Sequence, residues 1–335
     1  MLLPSLSELR AHMHVVTLDL NQEFRGVTAR ELVVFEGPSG WGEFAPFHNH
    51  SDRHSANWLM AAIESAFGKW PTPIRESFEV NAIIPMLPAR EIENFVRASH
   101  AACGFKSFKM KCGSENLSED VDRVSQLRAT LNQYVSTDAK IRIDINGAWT
   151  VADAIERIRK LDEAAAGLEY VEQPSQSLEE CALIRREIDV PIAIDEGIRL
   201  LDDARTQRTQ IKEAGDIAVL KAIPLGGVER AKRIAEELAM PVVVSGSLDS
   251  SIGLASGAAL AASLAHLDYA SGLGTGLLLK NDLSITVVPH DSVMSAFRSE
   301  PDEEMLAAAV ARTPHERVSF WEQRLTRCYE ILEQM

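Results

Sequence analysis

Apolar and polar residues follow two different rhythms along this chain. In roughly the first hundred residues, short runs at 14–20, 31–36 and 40–45 predict strands. Gly37-Pro38-Ser39-Gly40 places a turn between the second and third, which predicts a hairpin. Residues 55–67 carry Trp58, Leu59, Ala62 and Ile63 at helical spacing. A strand at 78–84 and a helix at 89–103 complete a small α+β unit over residues 1–104.

From Phe105 the rhythm becomes regular. Strand-like runs at 106–112, 140–145, 170–173, 191–195, 216–221 and 241–245 alternate with amphipathic stretches such as 152–165 and 228–239. Alternating β and α predicts parallel strands joined by helical crossovers. Six such units, with a seventh near Tyr269, exceed one half of a doubly wound sheet. They fit a closed (β/α) barrel over 105–289. No G-x-G-x-x-G follows the first strand to support the doubly wound alternative. The charged, helical segment 290–335 is expected to pack back on the first unit. No Gly/Ser linker separates the regions, so tight packing between them is expected.

Length and charge narrow the function. The 335 residues allow two domains, or one large barrel with an addition. The net charge of −15 argues against nucleic acid and against an anionic membrane surface. No apolar run reaches the roughly 18 residues that span a bilayer; the nearest, 252–264, reads as a buried helix. The first residues lack a basic region and a sustained apolar core, so no signal peptide is expected. Cys103, Cys112, Cys181 and Cys328 show no metal-ligand spacing, which suits a reduced, cytoplasmic protein.

The chemistry lies at the strand ends. Successive strands end Lys109-Met110-Lys111, Asp144-Ile145-Asn146, Glu172-Gln173-Pro174, Asp195-Glu196 and Leu220-Lys221. In a barrel these ends meet on one face, where the active sites of such enzymes lie. Side chains alternate along a strand, so Lys109 and Lys111 share a face, as do Arg142, Asp144 and Asn146. Three carboxylates in one confined volume need a counter-charge. Mg²⁺ prefers oxygen ligands, and no Cys or His is placed to favour a softer metal. Asp144, Glu172 and Asp195 therefore read as Mg²⁺ ligands, with Mn²⁺ an expected substitute. A metal can steady the enediolate formed when a proton α to a carboxylate leaves. Lys111 can take that proton if it is neutral, and Lys109 beside it would favour the neutral form. Lys221 would act from the far side, as a second acid/base or as a stabilising cation. Taken singly, each motif has an ordinary reading as a surface pair, a loop start or a helix cap. Their joint order on successive strands favours the site.

That order resembles the enolase superfamily, and Lys109-Met110-Lys111 resembles its muconate-lactonizing subgroup. The resemblance covers nearly the whole chain. It extends to Phe24-Arg25-Gly26-Val27-Thr28, Gly40-Trp41-Gly42-Glu43-Phe44-Ala45-Pro46-Phe47, Arg142-Ile143-Asp144-Ile145-Asn146-Gly147-Ala148-Trp149, Ser245-Gly246-Ser247-Leu248-Asp249-Ser250-Ser251-Ile252-Gly253 and Gly272-Leu273-Gly274-Thr275-Gly276. It implies a modified TIM barrel, (β/α)₇β, with an α+β capping domain made from both termini. It implies a lyase that takes water from 2-succinyl-6-hydroxy-2,4-cyclohexadiene-1-carboxylate in menaquinone biosynthesis. N-acylamino acid racemases, dipeptide epimerases and cycloisomerases share the same lysines and carboxylates.

Carried over, Lys111 would remove the proton and then protonate the leaving hydroxyl. Lys221 would sit over the ring as a cation. Ser245, Ser247 and Gly274 would meet the succinyl carboxylate of this small-molecule substrate, and Arg142 and Asn146 are further substrate-binding candidates. Arg142 could equally be an ion-pair partner of Glu172 or Asp195. The loops 24–28 and 47–54 would close the site, with His48, His50 and His54 as solvated loop residues. Gly197 stands where the family often has Ser. Two rivals remain: a ligand-binding barrel without chemistry, and an aldolase using Lys111 or Lys221 in a Schiff base. No pattern in the sequence specifies an oligomeric state.

Overall fold

The computed structural model describes residues 3–24, 26–200 and 207–335. Met1 and Leu2, at the start examined for a signal peptide, and Arg25, in the first capping loop, lie outside them. Near the N-terminus, β1 (Met13–Phe24), β2 (Val27–Gly37) and β3 (Gly40–Phe44) form an antiparallel sheet in that order. One face lies on the helix Asp52–Phe67, whose Trp58, Leu59, Ala62 and Ile63 are buried. Glycine makes that contact possible: a Cβ on Gly42 would stand 2.1 Å from the Ala62 carbonyl oxygen. Ser51 caps the helix by accepting from the His54 backbone N–H. The helices Glu303–Ala311 and His315–Leu332 complete the same apolar core, with Trp321 edge-on to Phe44.

After the short β4 (Phe78–Glu79), the chain builds one parallel sheet in sequence order. Its strands are β5 (Ala82–Ile84), β6 (Ser107–Lys111), β7 (Lys140–Asp144), β8 (Tyr170–Glu172), β9 (Ile192–Ile194), β10 (Ile217–Leu220) and β11 (Val242–Val244). Residues 271 and 272 close it: Ser271 bridges in parallel to Val80 and Gly272 to Ser245. With the intervening helices, the last being Ser251–Ser263, this is the (β/α)₇β barrel. The run around 252–264 is a helix buried at every position. Among the described residues no helix is long and apolar enough to cross a membrane.

One boundary differs from the sequence reading. The strand Ala82–Ile84 and the helix Ala89–Cys103, grouped above with the first unit over 1–104, are the barrel's first strand and first return helix. The barrel thus begins before residue 105. Ala82-Ile83-Ile84 is buried along its whole length, as a central parallel strand must be, but three residues are too few to show that pattern.

Register sets the depth of each inward side chain. Lys109 pairs with Arg142 and Arg142 with Tyr170, while Lys111 pairs with Asp144 and Asp144 with Glu172. The first trio forms a layer one pleat below the second. Tyr170, Ala193, Ile217, Val219 and Val243 form a separate apolar cluster, on the same alternating positions as the charged residues.

Candidate active site

Each of the three acidic strand ends is held by a lysine. Lys109 Nζ donates to Glu172 Oε2 at 2.8 Å and lies 3.8 Å from Asp144 Oδ2. Lys111 donates to Asp144 Oδ2 and, at 2.8 Å, to Asn146 Oδ1. Lys221 Nζ donates to Asp195 Oδ2 at 2.5 Å. All three carboxylates are buried. Gln173, left-handed at φ +42°, turns Oε1 to accept from the backbone N–H groups of Asp195 and Gly197, both at 3.1 Å, which ties the end of β8 to the end of β9. A Cβ at Gly197, where the family often has Ser, would stand 2.7 Å from Leu178 Cδ2 and 2.8 Å from Ile194 Cγ2, so those side chains would have to shift to admit it.

The electrostatics are those of a site with more negative charge than burial tolerates. Burial, then repulsion from Asp144, pushes the Glu172 carboxyl up to about 7 against the pull of Lys109. Burial also raises Asp195, but Lys221 and Arg199 together hold it down at about 2. Burial works against the Lys109 ammonium, yet attraction from Glu172 and Asp144 outweighs it and raises its pKa.

The donor set suits Mg²⁺. It is all oxygen, and among the described residues Glu172 Oε1 is buried with no hydrogen-bond partner, so it still calls for positive charge, while Asp195 Oδ1 faces only the Arg199 guanidinium, 3.3 Å away. Among the described residues the three carboxylates do not form a closed ligand group, since each is turned to its lysine.

One cavity gathers most of the expected residues. Lys109, Lys111, Asp144, Lys221, Ser245 and Ser247 line it, closed over by Phe24 and Phe47 from the two capping loops. Sequence reasoning missed Ile83, Leu248 and Thr275 in the same wall. Thr275 Oγ1 is buried without a hydrogen-bond partner among the described residues, which makes it a candidate donor to a substrate carboxylate. It stands inside the Gly272–Gly276 segment that carried the resemblance, but beside the glycine chosen there. Arg199 and Glu196 were also missed.

Several residues expected to meet the substrate stand outside this cavity's wall. Arg142 is fully buried one layer below the mouth, donating to Glu169 Oε2 at 2.5 Å, Asn81 Oδ1 at 2.9 Å and the Ala270 carbonyl at 2.6 Å. Its ion-pair partner is Glu169, and neither Glu172 nor Asp195. Asn146 faces Lys111 and Glu196 and is not part of the cavity wall. Gly274 serves close packing, for a Cβ there would lie 2.6 Å from the Asn81 carbonyl oxygen. The backbone N–H groups of Ser245, Gly246 and Ser247 already donate to Leu220 O, Gly272 O and Asp249 Oδ2. Of Ser245 and Ser247, only the hydroxyls can therefore serve a ligand. His48, His50 and His54 stand outside the cavity, in contact with Trp321, Trp58 and Ser51 respectively.

Residues 91–303 match the family model described as enolase C-terminal domain-like, and 15–66 match enolase N-terminal domain-like. The chain is 38% identical to an o-succinylbenzoate synthase of Mycobacterium leprae over 333 residues, 99% of this chain and 95% of that one. It is 38% identical to the o-succinylbenzoate synthase of Mycolicibacterium smegmatis, covering 98% of each. Its fold is similar to that of the L-Ala-D/L-Glu epimerase from Bacillus subtilis, with a TM-score of 0.71 at 21% identity over 86% of this chain and 96% of that one. The muconate lactonizing enzyme from Pseudomonas putida is similar to the same degree, with a TM-score of 0.71 at 20% identity over 89% of this chain and 98% of that one.

Proposed function

The chain belongs to the enolase superfamily, in its o-succinylbenzoate synthase family, and from that premise we propose that it removes water from 2-succinyl-6-hydroxy-2,4-cyclohexadiene-1-carboxylate to give 2-succinylbenzoate. The observation that carries this reading is that Lys111, at the end of β6, and Lys221, just past β10, border one cavity with Asp144 and the hydroxyl-bearing Ser245 and Ser247.

Asp144, Glu172 and Asp195 would hold Mg²⁺, or Mn²⁺ in its place. When bound, the ion supplies positive charge against the substrate carboxylate as the enediolate forms. Lys111, as a neutral amine, takes the ring proton α to that carboxylate. The resulting ammonium then gives its proton to the departing hydroxyl on the same face, so water leaves by syn elimination. Lys221 stays charged across the ring and stabilises the enediolate. The hydroxyls of Ser245, Ser247 and Thr275 receive the succinyl carboxylate, and Phe24 and Phe47 exclude water. Aromatisation drives the second step.

The same function places the protein in menaquinone biosynthesis and in the cytoplasm. The latter accords with Cys103, Cys112, Cys181 and Cys328, all buried and none in a disulfide.

A second reading, racemisation of an N-acylamino acid or epimerisation of a dipeptide, is favoured by the two lysines, since 1,1-proton transfer needs a base on each face. A ligand-binding barrel without chemistry gives no reason for three lysine–carboxylate pairs, two of them buried, which are costly to keep. One experiment separates these readings. The purified protein is given the cyclohexadiene and, separately, N-succinylamino acids, each with Mg²⁺ and with excess chelator. Formation of the aromatic product that stops in chelator is the expected result. Racemisation alone would select the second reading, and binding without turnover would select the third.

A further inference from the structure

Lys111 is reached by a chain of hydrogen bonds that begins outside the cavity. Its Nζ donates to Asn146 Oδ1 at 2.8 Å. The same amide's Nδ2 donates to Glu196 Oε1 at 3.1 Å. Glu196 Oε1 in turn accepts from an Arg199 guanidinium nitrogen at 2.8 Å, and Arg199 Nε lies 3.3 Å from Asp195 Oδ1. Lys221 donates to the other oxygen of Asp195, so hydrogen bonds together with the Arg199–Asp195 ion pair link the two lysines around the mouth of the barrel.

We propose that Glu196 is a positioning residue that orients Lys111 through Asn146, an inference that rests on the role given to Lys111 above. A side-chain amide has one accepting and one donating end, and a carboxylate can only accept. Glu196 therefore takes the Nδ2 end and leaves Oδ1 for the lysine. The Asn146 backbone is fixed independently: it is left-handed at φ +52°, and its N–H donates to Asp144 Oδ1 at 3.1 Å. What Glu196 decides is which way the amide faces. The consequence falls on the lone pair. A neutral amine has two N–H bonds. One directed to Asp144 and one to Asn146 turn the lone pair toward the cavity, where the substrate proton lies. Without Glu196 the amide can reverse, present N–H to the amine and draw the lone pair to itself.

Three variants test this with dehydration as the assay and a substrate deuterated at the reacting carbon. Glu196→Ala should lower kcat about tenfold or more with KM little changed, because misalignment of a base slows the proton step and not binding. The deuterium isotope effect on kcat should rise with it. Glu196→Gln, which keeps an Oε1 able to accept from both Asn146 and Arg199, should restore most of the rate. Asn146→Asp has no donating end to orient, so adding Glu196→Ala to that variant should leave kcat unchanged or raise it. This last comparison stands even where Glu196→Ala alone folds poorly. A wild-type kcat and isotope effect in Glu196→Ala would overturn the proposal. So would a fall in kcat at constant isotope effect, equal losses in the Ala and Gln variants, or a further loss on adding Glu196→Ala to Asn146→Asp. If the unaltered protein fails to dehydrate the cyclohexadiene, the proposed function fails separately. The same ratios are then read from α-proton exchange of an N-succinylamino acid in deuterated water, which uses the same amine.

Discussion

Lys109 and Glu172 form a closed pair in the barrel, with Nζ 2.8 Å from Oε2 and the side chains 4% and 0% exposed. Lys109 is thus the counter-ion of an acidic strand end as well as a neighbour of Lys111. Removing one partner of a buried pair leaves the other charge uncompensated, at about 3–5 kcal/mol. Lys109→Met should therefore lower the melting temperature in chelator. It should also make the protein lean harder on the ion, so the rise in melting temperature on adding Mg²⁺ should exceed that of the unaltered protein. Paired melts with chelator and with Mg²⁺ measure this. An equal rise in both proteins would show that Glu172 does not feel the loss.

Asp195 leads to the second expectation. It is held ionised by Lys221 and Arg199 in spite of burial, so it is available as a ligand at any ordinary pH. Asp195→Asn should lower Mg²⁺-dependent turnover about 100-fold or more. It should also cost stability, because Lys221 loses the oxygen 2.5 Å away. Turnover across a Mg²⁺ titration and a thermal melt check the two parts. Full activity in excess chelator would remove the metal from the scheme altogether.

The parts of this site that sequence reading reached are those set by strand periodicity. Charges on alternate residues at successive strand ends place Lys111, Asp144, Glu172 and Lys221 on one inner surface before any coordinates exist. Periodicity gives a face but not a depth. Arg142 shares its face with Asp144, yet two residues of strand set it roughly 6–7 Å lower, where it meets Glu169 and Asn81 and no ligand. Loop geometry is harder still. Thr275 reaches the cavity from a 3₁₀ turn, and Arg199 reaches Asp195 and Glu196 from a four-residue helix, neither of which has a hydrophobic rhythm to read. The first barrel strand falls within the strand expected at 78–84 but is grouped there with the first unit, because three buried residues do not show whether a strand is central to a barrel.

Glu43 supplies a pH dependence. It lies buried where β3 meets the helix Ser251–Ser263 and accepts from the Ser250 hydroxyl and the Gly253 N–H. Burial, then the neighbouring Asp249, raises its carboxyl to about 8 against the pull of Ser250 and Arg30. In the unfolded chain it would ionise near 4.5. Below that pH both states are protonated and its stabilising effect is complete. As pH climbs toward 8 the unfolded chain ionises first, so stability falls, and above 8 the loss is complete. Glu43→Gln cannot ionise. Relative to the unaltered protein it should gain stability between pH 5 and pH 8, on the order of 1–3 kcal/mol. Denaturant unfolding of both proteins at the two pH values gives the difference. A constant difference would show that Glu43 does not titrate across this window.

Lys221 separates the two reactions that this scaffold supports. It donates to Asp195 and borders the cavity from just past the end of β10, while Lys111 borders it from β6 beside Asp144. Syn dehydration needs one base, because the amine that takes the α proton can return it to the hydroxyl leaving from the same face. Racemisation needs a base on each face. Lys221→Arg keeps the positive charge and removes the base, since a guanidinium does not give up its proton in this pH range. The variant should retain measurable dehydration, followed as ring aromatisation. It should lose α-proton exchange from one enantiomer of an N-succinylamino acid in deuterated water, and racemisation with it. Lys111→Ala should abolish dehydration outright. Retained racemisation with lost dehydration in Lys221→Arg would overturn the assignment, because Lys221 would then be dispensable as a base and essential to elimination. A loss of both activities would leave the larger, planar guanidinium as a steric cause. Lys221→Met resolves that case: it is close to lysine in length and carries no charge. If Lys221 acts through its charge, the Met variant must lose dehydration as well, and a Met variant that still dehydrates would show that the charge is not needed.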